Sequence, residues 1–220
     1  MAVSDTLADK TVAVLGGTGP QGRGLAARFA AAGIDVVLGS RAPDRAEATA
    51  AALPGQVRGM SNADAARAAD IVLVVVPWEG HADLLTELAP ALAGKIVVDC
   101  VNPLGFDRQG AYALVVEEGS AAQQAARILT DSTVVAAFHH VSAVLLEDPS
   151  VEQVDTDVLV LGDDRPATQL VQDLASAIPG VRGIYGGRLR NAPQVEALTA
   201  NLISVNRRYK AHAGLRVTDI

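Results

Sequence analysis

The stretch Thr11-Val12-Ala13-Val14-Leu15-Gly16-Gly17-Thr18-Gly19-Pro20-Gln21-Gly22 decides the fold, because an apolar strand pattern runs directly into a glycine-rich turn. Gly17, Gly19 and Gly22 fit G-x-G-x-x-G. The first glycine permits the tight turn, the second lets backbone approach a pyrophosphate, and the third lets the next helix pack closely on the strand. An Ala-rich helix is predicted from about Pro20 to Ala32, and its first N–H groups point at the phosphates. Pro20 suits a first helical position and Gly33 a helix stop. Strand before and helix after are the context that separates a dinucleotide-binding turn from an ordinary glycine turn.

The next strand reads Ile34-Asp35-Val36-Val37-Leu38-Gly39 and ends in Ser40-Arg41. An NAD site usually has a carboxylate at that end, about 20 residues past the glycines, to bind the ribose 2′-hydroxyl. Here the only acid, Asp35, stands at the strand's beginning. A guanidinium offers a planar fork of donors to a phosphate, and Arg45 lies one helical turn beyond Arg41. Two cations at a helix start run against its dipole unless an anion joins them. The expected cofactor is therefore NADP(H), with Ser40, Arg41 and Arg45 on the 2′-phosphate.

Composition bounds the rest. At 220 residues, half of them hydrophobic, the chain can bury a full core. No apolar run approaches the ~18 residues of a membrane span, and Met1 to Lys10 has neither the basic start nor the apolar core of an export signal. The single Cys100 rules out an internal disulfide framework and fits a reducing compartment. A net charge of −7 disfavours nucleic acid as a partner. A cytoplasmic protein without membrane contact is expected.

Strands and helices alternate along the chain. After the second strand come a helix (44–53), a short strand (56–60), a brief helix (62–69) capped by Ser61 or Asn62, and the continuous apolar strand Ile71–Val76, ended by Pro77. A helix (79–92), a strand (95–100), a helix (120–129) and a strand (133–138) follow, and then a strand (156–161), a helix (166–178), a short strand (181–185), a hinge at Gly186-Gly187 and a last helix (192–212). This predicts an α/β, Rossmann-like doubly wound parallel sheet. The division expected is a nucleotide-binding domain over 1–146 and a smaller C-terminal α/β lobe over 147–220. Val195, Leu198, Leu202 and Val205 form one apolar face of the last helix.

Ligands in such sheets lie outside the carboxyl ends of the strands. The candidate turns are Pro77-Trp78-Glu79, Asn102-Pro103-Leu104 and His139-His140-Val141-Ser142-Ala143. Trp78, the only tryptophan, is either an apolar plug or a wall for the nicotinamide. His139 is a proton donor, a ligand clamp or a hydrogen-bonded strand-end residue. No metal site is expected, since one Cys and two adjacent His supply no ligand spacing.

The run Val14–Gly22, the Gly39-Ser40-Arg41 strand end, the Val76-Pro77-Trp78-Glu79 turn and the Phe138-His139 segment together resemble the coenzyme F420-dependent NADP oxidoreductases. Leu161-Gly162-Asp163-Asp164 and the helix start Asn191…Val195-Glu196…Leu198-Thr199 extend the likeness over nearly the whole chain. The resemblance implies hydride transfer between C4 of NADP(H) and C5 of the F420 deazaflavin. It implies pyrophosphate contacts at Thr18, Gly19, Pro20 and Gln21 within the Gly17–Gly22 turn, and 2′-phosphate contacts at Ser40, Arg41 and Arg45. Val76, Trp78, Leu104 and Ala143 then fall toward nicotinamide, and His139 and Ala213 toward the deazaflavin, whose pocket the 147–220 lobe completes. It also implies a homodimer.

With both reacting carbons on cofactors, the protein has to stack two rings and exclude water, and no catalytic acid or base is required. In agreement, no Tyr is followed four residues later by Lys. Two other readings share these features: a non-catalytic NADP(H)-sensing protein, and an NADP-dependent reductase of a small imine or keto substrate.

Overall fold

The structure, a computed structural model, describes residues 6–220; the first half of the Met1–Lys10 stretch read above for export features lies outside them. In chain order the elements are β1 (Thr11–Leu15), α1 (Pro20–Ala31), β2 (Asp35–Ser40), α2 (Pro43–Ala51), β3 (Val57–Ser61), α3 (Asn62–Ala68), β4 (Ile71–Val74), a 3₁₀ turn (Trp78–Gly80) and α4 (His81–Leu92). Then come β5 (Ile96–Asp99), β6 (Leu104–Asp107), β7 (Gly110–Ala113), α5 (Ala121–Ile128), β8 (Thr133–Ala136) and α6 (Ala143–Glu147). The chain closes with β9 (Thr156–Gly162), α7 (Arg165–Ser176), β10 (Val181–Gly187), a second 3₁₀ turn (Leu189–Asn191) and α8 (Ala192–Tyr209).

One sheet of order β10-β9-β8-β5-β4-β1-β2-β3 runs through the molecule. Its strands are paired in parallel except at β8–β9, which is antiparallel. Alternation along each strand feeds two cores. Val12, Val14, Val36 and Leu38 face Leu25, Phe29, Leu146, Val171 and Leu174 on one side, while Ala13, Leu15, Val37 and Val72 face Ala65, Leu85, Ala122 and Val195 on the other. Helices α1, α2, α6 and α7 thus cover one face, and α3, α4, α5 and α8 the other.

This architecture fixes the site. From β1 the chain winds outward to β2 and β3, then returns to β4 on the opposite side of β1 and winds the other way to β5 and β8. The order reverses between β1 and β4, and a crevice opens beyond their carboxyl ends. Because β9 is antiparallel to β8, its first residues, Thr156 and Asp157, come out at that same edge.

The 147–220 segment adds β9 and β10 to this common sheet. Gly186-Gly187, expected as a hinge, instead ends β10, with a register shift against β9 between Tyr185 and Gly187. β4 and β8 stop two residues short of the apolar runs that contain them, because Val75-Val76 and Ala137-Phe138 leave the ladder to build the crevice. The last helix ends at Tyr209 and not His212, since Lys210 takes left-handed backbone (φ 51°). The hairpin β6–β7 and the five-residue α6 are absent from the periodicity reading. The first turns at Asp107, whose Oδ1 accepts from the Gln109 and Gly110 N–H groups. The second is held from outside: the Arg28 guanidinium donates to carbonyls of Leu145, Leu146, Asp148 and Val151.

Candidate active site

The glycine turn divides its labours differently from the sequence reading. The left-handed residue is Gly16 (φ +70°), and a Cβ there would stand 2.3 Å from the Val75 carbonyl. Gly17, expected to permit the turn, is needed for space, since a Cβ would meet Leu38 Cδ2 at 2.4 Å. A Cβ on Gly22 would strike Gly17 Cα at 2.7 Å, which is the close helix packing expected. At Gly19 the nearest atom would be 3.7 Å away, so protein packing leaves room for a side chain. That space is what a pyrophosphate approaching the backbone requires. α1 starts at Pro20 with no side-chain cap and no acid in its first turn, which leaves its N-terminal N–H groups to an anion.

Around this turn lies a cleft of about 690 Å³ that takes in Gly16, Thr18, Gly19, Ser40, Arg41, Arg45, Asn62, Val76 and Asp83. Ser40 is buried at the end of β2, its Oγ accepting from the Ala42 N–H at 3.2 Å. Arg41 and Arg45 are exposed, and neither guanidinium has a side-chain partner among the described residues. Asp35 is occupied at the far end of β2, accepting from Thr11 Oγ1 and pairing with Arg58 at 2.7 Å. The cleft therefore offers two uncommitted cations beside the end of β2, and the carboxylates that line it, Glu79 and Asp83, come from the 3₁₀ turn after β4 and from α4.

The strand-end turns beyond the cleft are stitched together. Gln21 Nε2 donates to the Phe138 carbonyl at 2.8 Å. Phe138 has φ +63°, a strained backbone for a non-glycine residue, and its fully buried ring meets Phe29 edge-on at 6.0 Å. Such strain costs about 1–3 kcal/mol and persists only where its surroundings hold it. The next carbonyl, of His139, accepts from Asn102 Nδ2 at 2.7 Å and Thr199 Oγ1 at 3.1 Å, which draws β5, β8 and α8 to one point. The His139 ring is 3% exposed, neither nitrogen has a partner of good hydrogen-bond geometry among the described residues, and the nearest backbone groups are those of Cys100 and Val101. Burial drives its pKa down to about 4, with neighbouring His140 adding to the fall, so the ring is neutral near pH 7.

Thr18, Gly19, Ser40, Arg41, Arg45 and Val76 line the cleft; Gly17, Pro20, Gln21 and Gly22 build the turn beside it. Trp78, Leu104, His139, Ala143 and Ala213 do not line it. Trp78 follows β4, Leu104 opens β6, and Ala143 opens α6. Ala213 is tied to α8 by its N–H on Asn206 Oδ1, and the tail then reaches β9 through Leu215 and Thr156. Trp78 packs against the apolar core and also lies over His81, with ring centroids 5.5 Å apart.

His81, Asp99 and Glu196 are buried polar residues that sequence reading did not single out as a group. His81 Nε2 meets Asp99 Oδ2 at 2.6 Å, and Glu196 accepts from the Ala121 and Ala122 N–H groups at the start of α5. Burial raises the Glu196 pKa to about 7 against those bonds. Among the described residues no His, Cys, Asp and Glu cluster could hold a metal.

Residues 11–103 match the family described as NADP oxidoreductase, coenzyme F420-dependent. The chain is 39% identical to the F420-dependent NADP reductase of Methanothermobacter thermautotrophicus over 95% of each chain. It is 37% identical to that of Methanocaldococcus jannaschii, over 95% of this chain and 98% of the relative. A solved structure from Arthrobacter sp. FB24, described as an F420-dependent NADP-reductase, superposes with a TM-score of 0.82 at 28% identity, covering 96% of this chain and all of the other.

Proposed function

The chain belongs to the coenzyme F420-dependent NADP oxidoreductase family, and from that premise we propose how its cleft serves the reaction. It is an oxidoreductase that transfers a hydride between NADP(H) and F420. The observation that carries this reading is the end-to-end match to the family's reductases, 95% of both chains in one case.

NADP(H) and F420 supply the carbon that gives the hydride and the carbon that takes it; the chain supplies position. The Gly17–Gly22 turn and the first turn of α1, with Thr18, Gly19, Pro20 and Gln21, hold the pyrophosphate. Ser40, Arg41 and Arg45 hold the 2′-phosphate; the unpaired guanidiniums fit that group, and the free space at Gly19 fits the pyrophosphate. Val76 and the Trp78 turn, with Leu104 and Ala143, bound the nicotinamide end. His139 and Ala213 belong to the deazaflavin side, where a neutral buried imidazole orients and does not exchange a proton. No side chain is assigned a proton transfer.

On this reading residues 1–146 supply the nucleotide site and 147–220 the part of the sheet edge that closes over F420. The working unit is a homodimer, joined through apolar side chains on β6–β7, the segment after it, and the end of α8. Phe106 (68% exposed), Val115 (100%) and Tyr209 (73%) stand out there. A cytoplasmic location fits the single buried Cys100. No helix of the described residues is long and apolar enough to cross a membrane.

Mixing the protein with NADPH and F420 tests the function. Bleaching of the deazaflavin absorbance matched by NADPH oxidation is expected. NADPH binding without bleaching would leave a nucleotide sensor or a reductase of another substrate.

A further inference from the structure

His81 is the first residue of α4, directly after the turn that carries Trp78, and its side chain is wholly buried. Each nitrogen of an imidazole either donates or accepts, so the partners of a buried ring fix its protonation. Nε2 lies 2.6 Å from a carboxylate oxygen of Asp99. Nδ1 lies 3.0 Å from Oε1 of Gln124. That amide is not free to turn its nitrogen toward His81, because Nε2 of Gln124 already donates to Glu118 at 3.2 Å. The second Asp99 oxygen accepts from the Val101 N–H at 3.0 Å. Both ring nitrogens thus face acceptors, and the ring needs both protons.

We propose that His81 is a positioning residue for hydride transfer: as a buried imidazolium gripped by Asp99 and Gln124, it locks the Trp78 turn onto the ends of β5 and α5. The proposal rests on the reading that this turn bounds the nicotinamide end of the cleft. His81 reaches the turn twice, through its backbone N–H on the Trp78 carbonyl and through the ring that lies beneath the indole. The groups facing His81 are Asp99 from β5, Gln124 from α5 with Glu118 behind it, Glu196 from α8, and Trp78 from its own turn. Burial is the largest single influence and opposes the charge on His81, but Asp99, Gln124 and Glu196 together outweigh it and hold the ring above its ordinary pKa. None of Trp78, His81, Asp99 and Gln124 lines the cleft that contains Arg41 and Arg45, so loss of the lock should slow the reaction and spare nucleotide affinity.

Trp78 is the only tryptophan, which makes its emission a local probe. An imidazolium against an indole quenches it. Wild-type fluorescence should therefore climb in one step above the ordinary imidazole pKa of 6.5 as His81 loses its proton, the step should move to lower pH in Asp99→Asn, and it should vanish in His81→Gln. Nitrogen-15 NMR of the unaltered protein at pH 6 should show both His81 nitrogens protonated. With NADPH and F420, both variants should lose about tenfold to a hundredfold in kcat, the scale of an ångström-sized misplacement, while the NADPH Kd stays within twofold. A singly protonated ring, an emission step that survives in His81→Gln, or variants with unchanged kcat would overturn the lock. The NMR and emission readouts need neither cofactor, so a wild-type protein that fails to reduce F420 would sink the functional reading and leave these to be judged alone.

Discussion

Arg41 and Arg45 stand either side of Asp44 at the start of α2, neither guanidinium has a side-chain partner among the described residues, and the 2′-phosphate of NADP(H) is the anion proposed to join them. Hydrogen bonds to charged groups contribute ~1.5–3 kcal/mol each. Arg41→Ala with Arg45→Ala should therefore weaken NADPH at least about tenfold and leave NADH almost unchanged, as titration calorimetry with both nucleotides will show. Equal losses would remove the 2′-phosphate assignment. His139 makes a second prediction at this scale. Its pKa falls from an ordinary 6.5 to about 4 on burial, so the unfolded chain binds the extra proton between those values. Stability should be whole above pH 6.5 and drop by up to about 3 kcal/mol as pH falls to 4, at 1.36 kcal/mol per pKa unit. Urea unfolding of wild type and His139→Gln between pH 4 and 7 should show a flatter curve for the variant. His139→Ala should slow F420 turnover by less than the ~10²–10⁴-fold of a lost acid or base. The arginines were legible because a carboxylate is missing from one known position. His81 and Asp99 were not, because they stand 18 residues apart in sequence and meet only once β4 and β5 lie side by side.

At the scale of elements, strands buried on both faces declared themselves as unbroken apolar runs, Ile71–Val74 most plainly. The β6–β7 hairpin did not: Leu104-Gly105-Phe106-Asp107 lacks the alternation of a half-buried strand, and its outer residues are exposed. α6 is too short for a 3.6-residue period to register and depends on Arg28 and the bare backbone of Gly24, where a Cβ would stand 2.5 Å from Leu146 Cβ. The apolar stripe of α8 was legible, but its fate was not. Val195 is buried while Val205 is 37% exposed, so the stripe leaves the core partway along and continues outward beside the hairpin. A second copy is the partner proposed for that surface. Light scattering at micromolar concentration should give a dimer mass, and Phe106→Glu with Tyr209→Glu should give the monomer mass with NADPH binding retained. A monomeric wild type would remove the dimer.

Across the whole molecule, the tail ties the far edge of the sheet to the site edge. Asp157 is buried at the start of β9, where the Arg182 guanidinium grips it in two hydrogen bonds of 2.7 Å and Arg216 adds a third at 2.6 Å. Arg182 foremost holds its carboxyl well below the usual carboxylate range. The Val217 N–H binds the same carboxylate, so one buried charge secures the tail that contains Ala213. Asp157→Ala leaves two arginines without it. The variant should unfold at lower urea and lose residues 211–220 to limited proteolysis before the rest of the chain is cut; an uncut tail would show that other contacts secure it. The doubly wound order was legible from alternation alone. The antiparallel turn-back of β9 was not, because strand direction leaves no mark on a short apolar run, and that reversal is what brings the tail to the edge of the sheet where the crevice opens.

Direct passage of a hydride from one cofactor to the other, with the protein only holding them, is most plainly tested by isotope. NADPH carrying deuterium at the transferred C4 position is reacted with F420 in ordinary water for a single turnover, and the product is read by mass spectrometry and NMR. The prediction is reduced F420 with the deuterium retained at C5 of the deazaflavin. Reduced F420 without the label, or NADPH bound and never oxidised, would contradict it.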